Sequence, residues 1–183
     1  MHSYPIYQDY QKRAEPLAEV LCRRLIPASA SIDNSTERLQ VELVSGNYFS
    51  MLGVKPALGR VFNSQEDDQV YQGHPVAVLS YDYWVSRFAS DRNVIGKKIL
   101  INDSPITIVG VSAAGFAGID PAQSPQIRVP ILMKTAMTPE WTWLRMDDRR
   151  ARWVQVFARL KPGYTVESAR APLQGLFTQI RAD

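Results

Sequence analysis

The feature that most constrains the fold of this chain is a β-hairpin near its middle. Two segments rich in β-branched residues, 97–101 and 106–111, flank the tetrapeptide Asn-Asp-Ser-Pro at 102–105. Asn and Asp tolerate the left-handed backbone conformation, so a short polar turn between two such segments predicts adjacent antiparallel strands. We therefore expect the chain to build a β-sheet around this hairpin.

Other strands are predicted from the alternation of apolar and polar residues. Residues 28–32 and 38–44 flank the polar turn Asp-Asn-Ser-Thr at 33–36 and predict a second hairpin. Its second strand is expected to turn Leu39, Val41 and Leu43 toward a core and Arg38, Gln40 and Glu42 toward water. Further strands are predicted at 76–79, 127–133 and 153–160.

Helix signals lie between these strands and at both ends. Ser3 followed by Pro5 is typical of a helix start, and apolar residues at helical spacing continue to Leu25. Pro16 interrupts this run, so we expect two short helices or one kinked helix ending before residue 27. Three more helices are predicted at 47–52, after Ser80 and after Thr165, and Gly53 is expected to end the first of them.

The last helix has an expected core stripe of Val166, Ala169, Leu173, Leu176, Phe177 and Ile180. Helices thus stand at both ends of the chain and between strands, which indicates an α+β fold. The length of 183 residues and the 45% hydrophobic content suffice for one domain, or for one domain split into two lobes.

The charge pattern argues against nucleic-acid binding. The formal net charge is +3, but the 21 basic residues are spread along the chain beside 18 acidic ones. No stretch reaches the length of about 20 apolar residues that spans a bilayer, and no signal-peptide core follows Met1. Two expectations fit this pattern: a cytoplasmic soluble protein, or a domain that lies between membrane segments of a longer chain.

The residues of enzyme and metal sites are sparse. The sequence has two histidines, His2 and His74, and a single cysteine, Cys22, so no zinc cluster or HExxH motif is present. Residues 95–98 resemble the end of a phosphate-binding loop, but Asp91 replaces the glycine that such a loop needs. We interpret His74, which precedes Pro75, as a turn residue and expect no catalytic residue, metal or cofactor.

One segment is a candidate partner-contact surface. Trp141 and Trp143 would share one face if this segment were extended, and basic residues follow them. The candidate contact residues are Trp141, Trp143, Arg145, Arg149 and Arg150. The alternatives are that both tryptophans cap the core and that the arginines form a solvated face.

Three motifs occur in an order that resembles a known family. The first is VELVSGNYFSMLGV at 41–54, continued by PALGR at 56–60 and Phe62. The second is HPVAVLSY at 74–81, followed by VIGK at 94–97 and ITIVGV at 106–111. The third is VFARLKPG at 156–163, which leads into the last helix. Together they resemble the periplasmic core domain of MacB/FtsX-type ABC transporter permeases, and most nearly the large acidobacterial-type members.

This resemblance implies a fold and a location. It implies a domain between two transmembrane helices on the periplasmic face of the bacterial inner membrane. A porter-like lobe would combine residues 1–53 and 136–183, and a β-rich Sabre-like lobe would be inserted at 54–135.

The resemblance also implies a role without chemistry in this domain. ATP would be hydrolysed by a separate cytoplasmic nucleotide-binding domain, and the motion would reach exported substrates or periplasmic partner proteins. The expected partners are the protein's own membrane helices, an ATPase subunit, a periplasmic protein and, in the full-length protein, a second copy. A ligand-binding or sensor domain with a pocket between the lobes is the alternative, and an enzyme is a third.

Overall fold

The computed structural model describes residues 1–182 and consists of six helices and eight strands, with two short 3-10 helices at Arg92–Val94 and Ile131–Met133. In chain order the elements are α1 (Tyr4–Arg13), β1 (Ala18–Ile32), β2 (Ser35–Val44), α2 (Tyr48–Leu52), β3 (Pro56–Gly59), α3 (Ser64–Asp67), β4 (Val76–Leu79), α4 (Tyr81–Phe88), β5 (Lys98–Ile101), β6 (Ser104–Ser112), β7 (Ile127–Pro130), α5 (Lys134–Met137), β8 (Gln155–Leu160) and α6 (Val166–Ala182). This mixture of sheet and helices is the expected mixed fold.

The chain forms two compact units. The terminal unit combines Met1–Arg23 with Trp143–Asp183, and the central unit is Arg24–Thr142. Strand β1 begins in the terminal unit and continues into the central unit.

The terminal unit is held together by a strand pair and two helices. The first residues of β1 run antiparallel to β8, with Ala18 opposite Leu160 and Arg23 opposite Gln155. Helix α1 packs against α6, and the side chains of Leu21 and Trp153 are buried in its core. Both ends of the described chain therefore belong to one packed unit.

Six strands of the central unit pair in a closed ring, and β3 pairs with β6 outside it. The order is β2–β7–β4–β6–β5–β1, and β1 pairs in turn with β2. The β2–β7 and β4–β6 pairs are parallel, whereas β4–β7, β5–β6 and β1–β5 are antiparallel. A ring leaves no open edge between its strands, which protects the unit from edge-to-edge association.

Both predicted hairpins are confirmed. Asn102 and Asp103, between β5 and β6, have φ values of 46° and 64°. Asp33 and Asn34, between β1 and β2, have φ values of 50° and 63°. Two consecutive residues with positive φ form the turn that matches the twist of antiparallel strands, and Asn and Asp accept that conformation at low cost.

The predicted helix starts and ends are confirmed at several positions. The Ser3 hydroxyl accepts a hydrogen bond from the Ile6 amide at the start of α1, and the Ser80 hydroxyl accepts one from the Tyr83 amide at the start of α4. Gly53 ends α2 with a φ of 70°. The Thr165 hydroxyl accepts from the Ser168 amide before α6.

The predicted second helix near the N-terminus is wrong. Helix α1 ends at Arg13, and the chain turns at residues 14–17 before entering β1, which contains Leu21 and Leu25 of the predicted helical pattern. The apolar residues of this segment also fit a strand, and pairing with β8 decides between the two. Pro27 is tolerated in β1 because it lies between the residues that pair with β8 and those that pair with β5.

Three smaller expectations are also corrected. Glu42 was predicted to face water but is completely buried. Val166 was predicted to lie in the core stripe of α6 but is 64% exposed. The strand predicted at 127–133 ends at Pro130 and continues as a 3-10 helix.

Candidate interaction sites

The predicted partner-contact residues divide between the two units. The segment around them consists of turns and bends, so the extended conformation on which a shared tryptophan face depended is absent. Trp141 belongs to the central unit, and the other four residues belong to the terminal unit. Each group is therefore described by itself.

In the terminal unit, Trp143 and Arg145 lie at the surface. Trp143 is 67% exposed, the largest exposure among the described tryptophans. The Arg145 guanidinium donates two hydrogen bonds to the Asp147 carboxylate, at 2.7 and 3.0 Å, and both side chains are exposed. The charge of Arg145 is thus already compensated locally, which leaves the indole of Trp143 as the prominent feature of this surface.

Arg149 makes an internal connection between the two terminal helices. Its guanidinium donates to the Asp9 carboxylate on α1 at 2.8 Å and to the Ile180 carbonyl on α6 at 2.9 Å. A cation that binds the last carbonyls of a helix also interacts favourably with the helix dipole. Arg149 therefore ties α1 to the end of α6, while Arg150 remains exposed.

Aromatic contacts strengthen the same junction. The rings of Tyr10 on α1 and Phe177 on α6 stack with centroids 6.2 Å apart and an angle of 7° between their planes. The His2 ring packs edge-on against both of them. Burial lowers the pKa of His2 below its ordinary value, with the positive N-terminus adding to the effect. We call His2, Asp9, Tyr10, Arg149 and Phe177, together with the end of α6, the terminal junction.

In the central unit, Trp141 lines a groove of about 580 Å³ on the outer side of the β1–β2 hairpin. Its backbone carbonyl accepts a hydrogen bond from the Lys134 ammonium at 2.9 Å, and its indole lies against the Arg24 guanidinium, 5.2 Å from the ring centroid. Arg24 does not line the groove. Trp141 is therefore held in position by Lys134 and Arg24 and forms one wall of the groove.

Asn102 fastens the walls of this groove together. Its amide oxygen accepts from the Ser29 amide, its own backbone amide donates to the Ser29 carbonyl, and its side-chain nitrogen donates to the Met137 carbonyl at 2.7 Å. The turn signal identified Asn102 only as a hairpin residue. No sequence pattern could show its bond to Met137, which is 35 positions away.

A buried ion pair lies inside the central unit. Glu42 on β2 stands opposite Arg128 on β7 in the strand register, and Arg128 Nε donates to Glu42 Oε2 at 2.8 Å. Both side chains are completely buried. The Tyr48 hydroxyl donates to the same carboxylate oxygen, and the Phe116 ring lies 4.7 Å from the guanidinium carbon of Arg128. Burial, with the neighbouring Glu42 carboxylate, raises the pKa of Tyr48 to about 12.

The second histidine has a structural role. His74 Nε2 accepts hydrogen bonds from the backbone amides of Val70 at 2.9 Å and Gln69 at 3.4 Å, which makes it an organiser of its own loop. Among the residues that the structure describes, no group of three or more His, Cys, Asp or Glu side chains could hold a metal ion. No described helix is long and apolar enough to cross a membrane.

Comparison with known proteins decides the family. Residues 5–176 match the family described as MacB-like periplasmic core domain. The chain belongs to this family. It is thus a periplasmic core domain of the kind that its sequence motifs resembled.

Known relatives agree with this assignment. The macrolide export ATP-binding/permease proteins MacB of Burkholderia cenocepacia and Burkholderia orbicola are each 33% identical to the chain over 91 residues. That alignment covers 48% of the chain but only 13% of the length of either relative.

Solved structures share the fold of this MacB-like domain. The periplasmic region of MacB from Actinobacillus actinomycetemcomitans has a TM-score of 0.70 and 17% identity, covering 96% of this chain and 74% of the other. The extracellular domain of the noncanonic ABC-type transporter YknZ from Gram-positive bacteria has a TM-score of 0.64 and 13% identity, covering 96% and 83%. Both likenesses concern the fold.

Proposed function

We propose that this domain is the extracytoplasmic part of an ABC-type transporter permease of the inner membrane. In this role it passes ATP-driven motion to the export or remodelling of substrates or partner proteins. The match to the MacB-like periplasmic core domain over residues 5–176 is the observation that carries the proposal. The domain itself supplies no catalysis and holds no cofactor, because ATP is hydrolysed by a separate cytoplasmic domain.

The terminal junction supports a mechanical role. In the proposed full-length protein, the segments before α1 and after α6 lead to membrane helices, and Arg149 bonds to both helices. Movement of either membrane segment would therefore reach the packed terminal unit directly. Discrete contacts of this kind transmit a displacement as a rigid-body motion.

The division into lobes belongs to the same proposal. We assign residues 1–53 and 136–183 to a porter-like lobe and residues 54–135 to a Sabre-like lobe, following the family resemblance. The proposed partners are the protein's own membrane helices, an ATPase subunit, a periplasmic protein and a second copy of the permease. Trp143, Arg145 and Arg150 remain the proposed surface for such a partner.

Sequencing the parent gene on both sides of this chain is the first test. Hydrophobic segments of about 20 residues on both sides would agree with the permease proposal. A start codon at Met1 together with a stop after residue 183 would refute it and would favour a free ligand-binding domain.

A functional test follows in the full-length permease reconstituted with its ATPase in liposomes. Arg149→Gln is expected to reduce ATP-dependent transport without changing ATP hydrolysis, because it breaks the connection between α1 and α6. Arg170→Gln is the matched control, since Arg170 is an exposed arginine of α6 that lies outside the terminal junction and outside the proposed partner surface. Equal transport by both variants would show that the terminal junction carries no motion.

A ligand-binding or sensor domain is the second candidate function. The specific observation that favours it is the groove beside Trp141, which has the volume of a ligand site. Saturable binding of a small molecule by the isolated chain would support this second function.

A further inference from the structure

The groove beside Trp141 has walls from four parts of the central unit. They are β1, the start of β2, the β5–β6 turn and the segment 137–141. Its volume of about 580 Å³ lies within the range of about 300–1,000 Å³ that is usual for small-molecule sites. The Asn102 bonds to Ser29 and Met137 hold three of these walls together.

Two hydrogen-bonded hydroxyl groups line the groove. Ala28, Ala30 and Ile32 of β1 are buried, so the alternating residues face outward. Outward-facing Ser31 shares a hydrogen bond of 2.8 Å with Thr36 at the start of β2, and both residues line the groove. These hydroxyl groups offer donors and acceptors without a net charge.

The rim of the groove carries charges of both signs. Arg38 lies on one side, and Asp103 and Glu140 lie on others. All three side chains belong to exposed residues. A guanidinium donates hydrogen bonds and carboxylates accept them, so the rim can satisfy hydroxyl groups, which do both. Two carboxylates against one cation disfavour an anionic ligand.

The groove is poorly suited to a peptide that adds to the sheet. Pro27 has no backbone N–H to donate, and the amide and carbonyl of Ser29 are both already bonded to Asn102. Strand addition depends on free main-chain groups along an edge. Recognition in this groove must therefore come from side chains.

We propose that this groove binds a neutral oligosaccharide. The half-buried indole of Trp141 offers a flat apolar surface for the C–H face of a sugar ring, and Arg24 and Lys134 hold it in position. Arg38, Asp103 and Glu140 bind the ring hydroxyls, together with Ser31 and Thr36. The proposal rests on the geometry of the central unit and deepens the second candidate function, a ligand-binding domain, without depending on the transporter role.

The test is a titration of the 183-residue chain with two neutral probes, the trimer of N-acetylglucosamine and maltotriose, followed by amide chemical shifts in NMR spectra. We expect saturable shifts confined to residues 26–38, 102–103 and 137–141. Trp141→Ala should weaken binding about tenfold, since an aromatic contact of this kind contributes up to that factor. Glu140→Gln, at an exposed position that does not endanger folding, should weaken it about threefold or more.

Trp143→Ala is the matched control, because Trp143 is an exposed indole outside the groove. It should leave the affinity for the trimer unchanged. The proposal fails if neither probe shifts the groove residues at concentrations up to about 10 mM. It also fails if Trp143→Ala and Trp141→Ala weaken binding equally, or if Glu140→Gln binds as the parent chain does. Stronger binding of a charged tripeptide at the same residues would likewise overturn it.

Discussion

The buried pair of Glu42 and Arg128 offers a sharp test of how the central unit is stabilised. Both side chains are completely buried, and Arg128 Nη1 has no hydrogen-bond partner among the described residues. Removing one charge leaves the other buried without its opposite charge, which costs about 3–5 kcal/mol. Arg128→Met and Glu42→Leu should therefore each remove a large share of a stability that is typically about 5–15 kcal/mol for a domain of this size.

The double variant Glu42→Leu/Arg128→Met should behave differently. Replacing both charges by apolar side chains of similar volume removes the desolvation cost as well as the attraction, so the result should be within about 1–2 kcal/mol of the parent chain. Part of any remaining loss would come from Tyr48, whose hydroxyl loses its acceptor. The coupling free energy of this double-mutant cycle should thus be several kcal/mol, far above that of a surface ion pair, which is about 0–1 kcal/mol.

The assay is urea unfolding followed by far-ultraviolet circular dichroism, with the free energy of unfolding taken by linear extrapolation. Arg145→Met, which breaks the exposed pair with Asp147, is the control and should leave the unfolding midpoint unchanged. If either single variant of the buried pair were as stable as the parent chain, the reasoning would be refuted. If the double variant lost the sum of the single losses, the two charges would not be coupled.

Three further predictions concern backbone space, pH and the terminal junction. Gly110→Ala should destabilise the central unit by about 2–4 kcal/mol, because the added Cβ would overlap the Arg60 carbonyl oxygen. Gly175→Ala in α6 places its Cβ in open space and should stabilise the chain by about 1 kcal/mol. Equal unfolding midpoints of the two variants in urea would contradict this prediction. Burial raises the pKa of Asp68 above its ordinary value of 3.8, so the folded state holds this proton more tightly, and stability from this group should fall as the pH rises above that value. Asp68→Asn should remove that part of the pH dependence, and an unchanged stability profile between pH 3 and 7 would count against it. Arg149→Gln should lower stability by about 1–2 kcal/mol through loss of its bonds to α1 and α6, and a thermal unfolding midpoint equal to that of the parent chain would contradict this.

Local chemistry predicted the turns and helix boundaries of this fold well. Asn102 and Asp33 were identified as hairpin residues, and Gly53 as a helix end, because each adopts a backbone conformation that few other residues tolerate. Such signals depend on the residue itself and on one or two neighbours. They can therefore be recognised in a single sequence.

Features that depend on residues far away in the sequence could not be predicted. The alternation of β2 predicted a solvent-facing Glu42, but the residue opposite it on β7 is Arg128, 86 positions away. Likewise, the apolar residues 17–25 fitted a helix, and the strand is selected by pairing with β8, more than 130 positions further along the chain. The burial of Glu42 was therefore decided by β7, and the strand conformation of β1 by β8. Both elements lie far away in the sequence.

The candidate site shows the same division. Trp141 was predicted as a contact residue from a face shared with Trp143 and from the arginines that follow. Its contacts with Arg24 and Lys134, and the bond of Asn102 to the neighbouring Met137, could not be predicted from that pattern. Arg149 was predicted to contact a partner, and its bonds to Asp9 and Ile180 within the terminal unit were not predicted. Residue type alone could not identify these intramolecular partners, which are set by the fold.

The distribution of charge gives the two units different means of recognition. The terminal unit contains eleven basic and seven acidic residues, and the central unit contains ten basic and eleven acidic ones, so the formal net charge of +3 arises entirely in the terminal unit. Long-range attraction of an acidic partner would therefore act on the terminal unit and would weaken with added salt. The groove lies in the nearly neutral central unit, where binding should depend on shape and hydrogen bonds and be insensitive to salt. Binding of the neutral trimer should accordingly keep its affinity between low and high salt, whereas any acidic partner of the terminal unit should lose affinity as salt is raised.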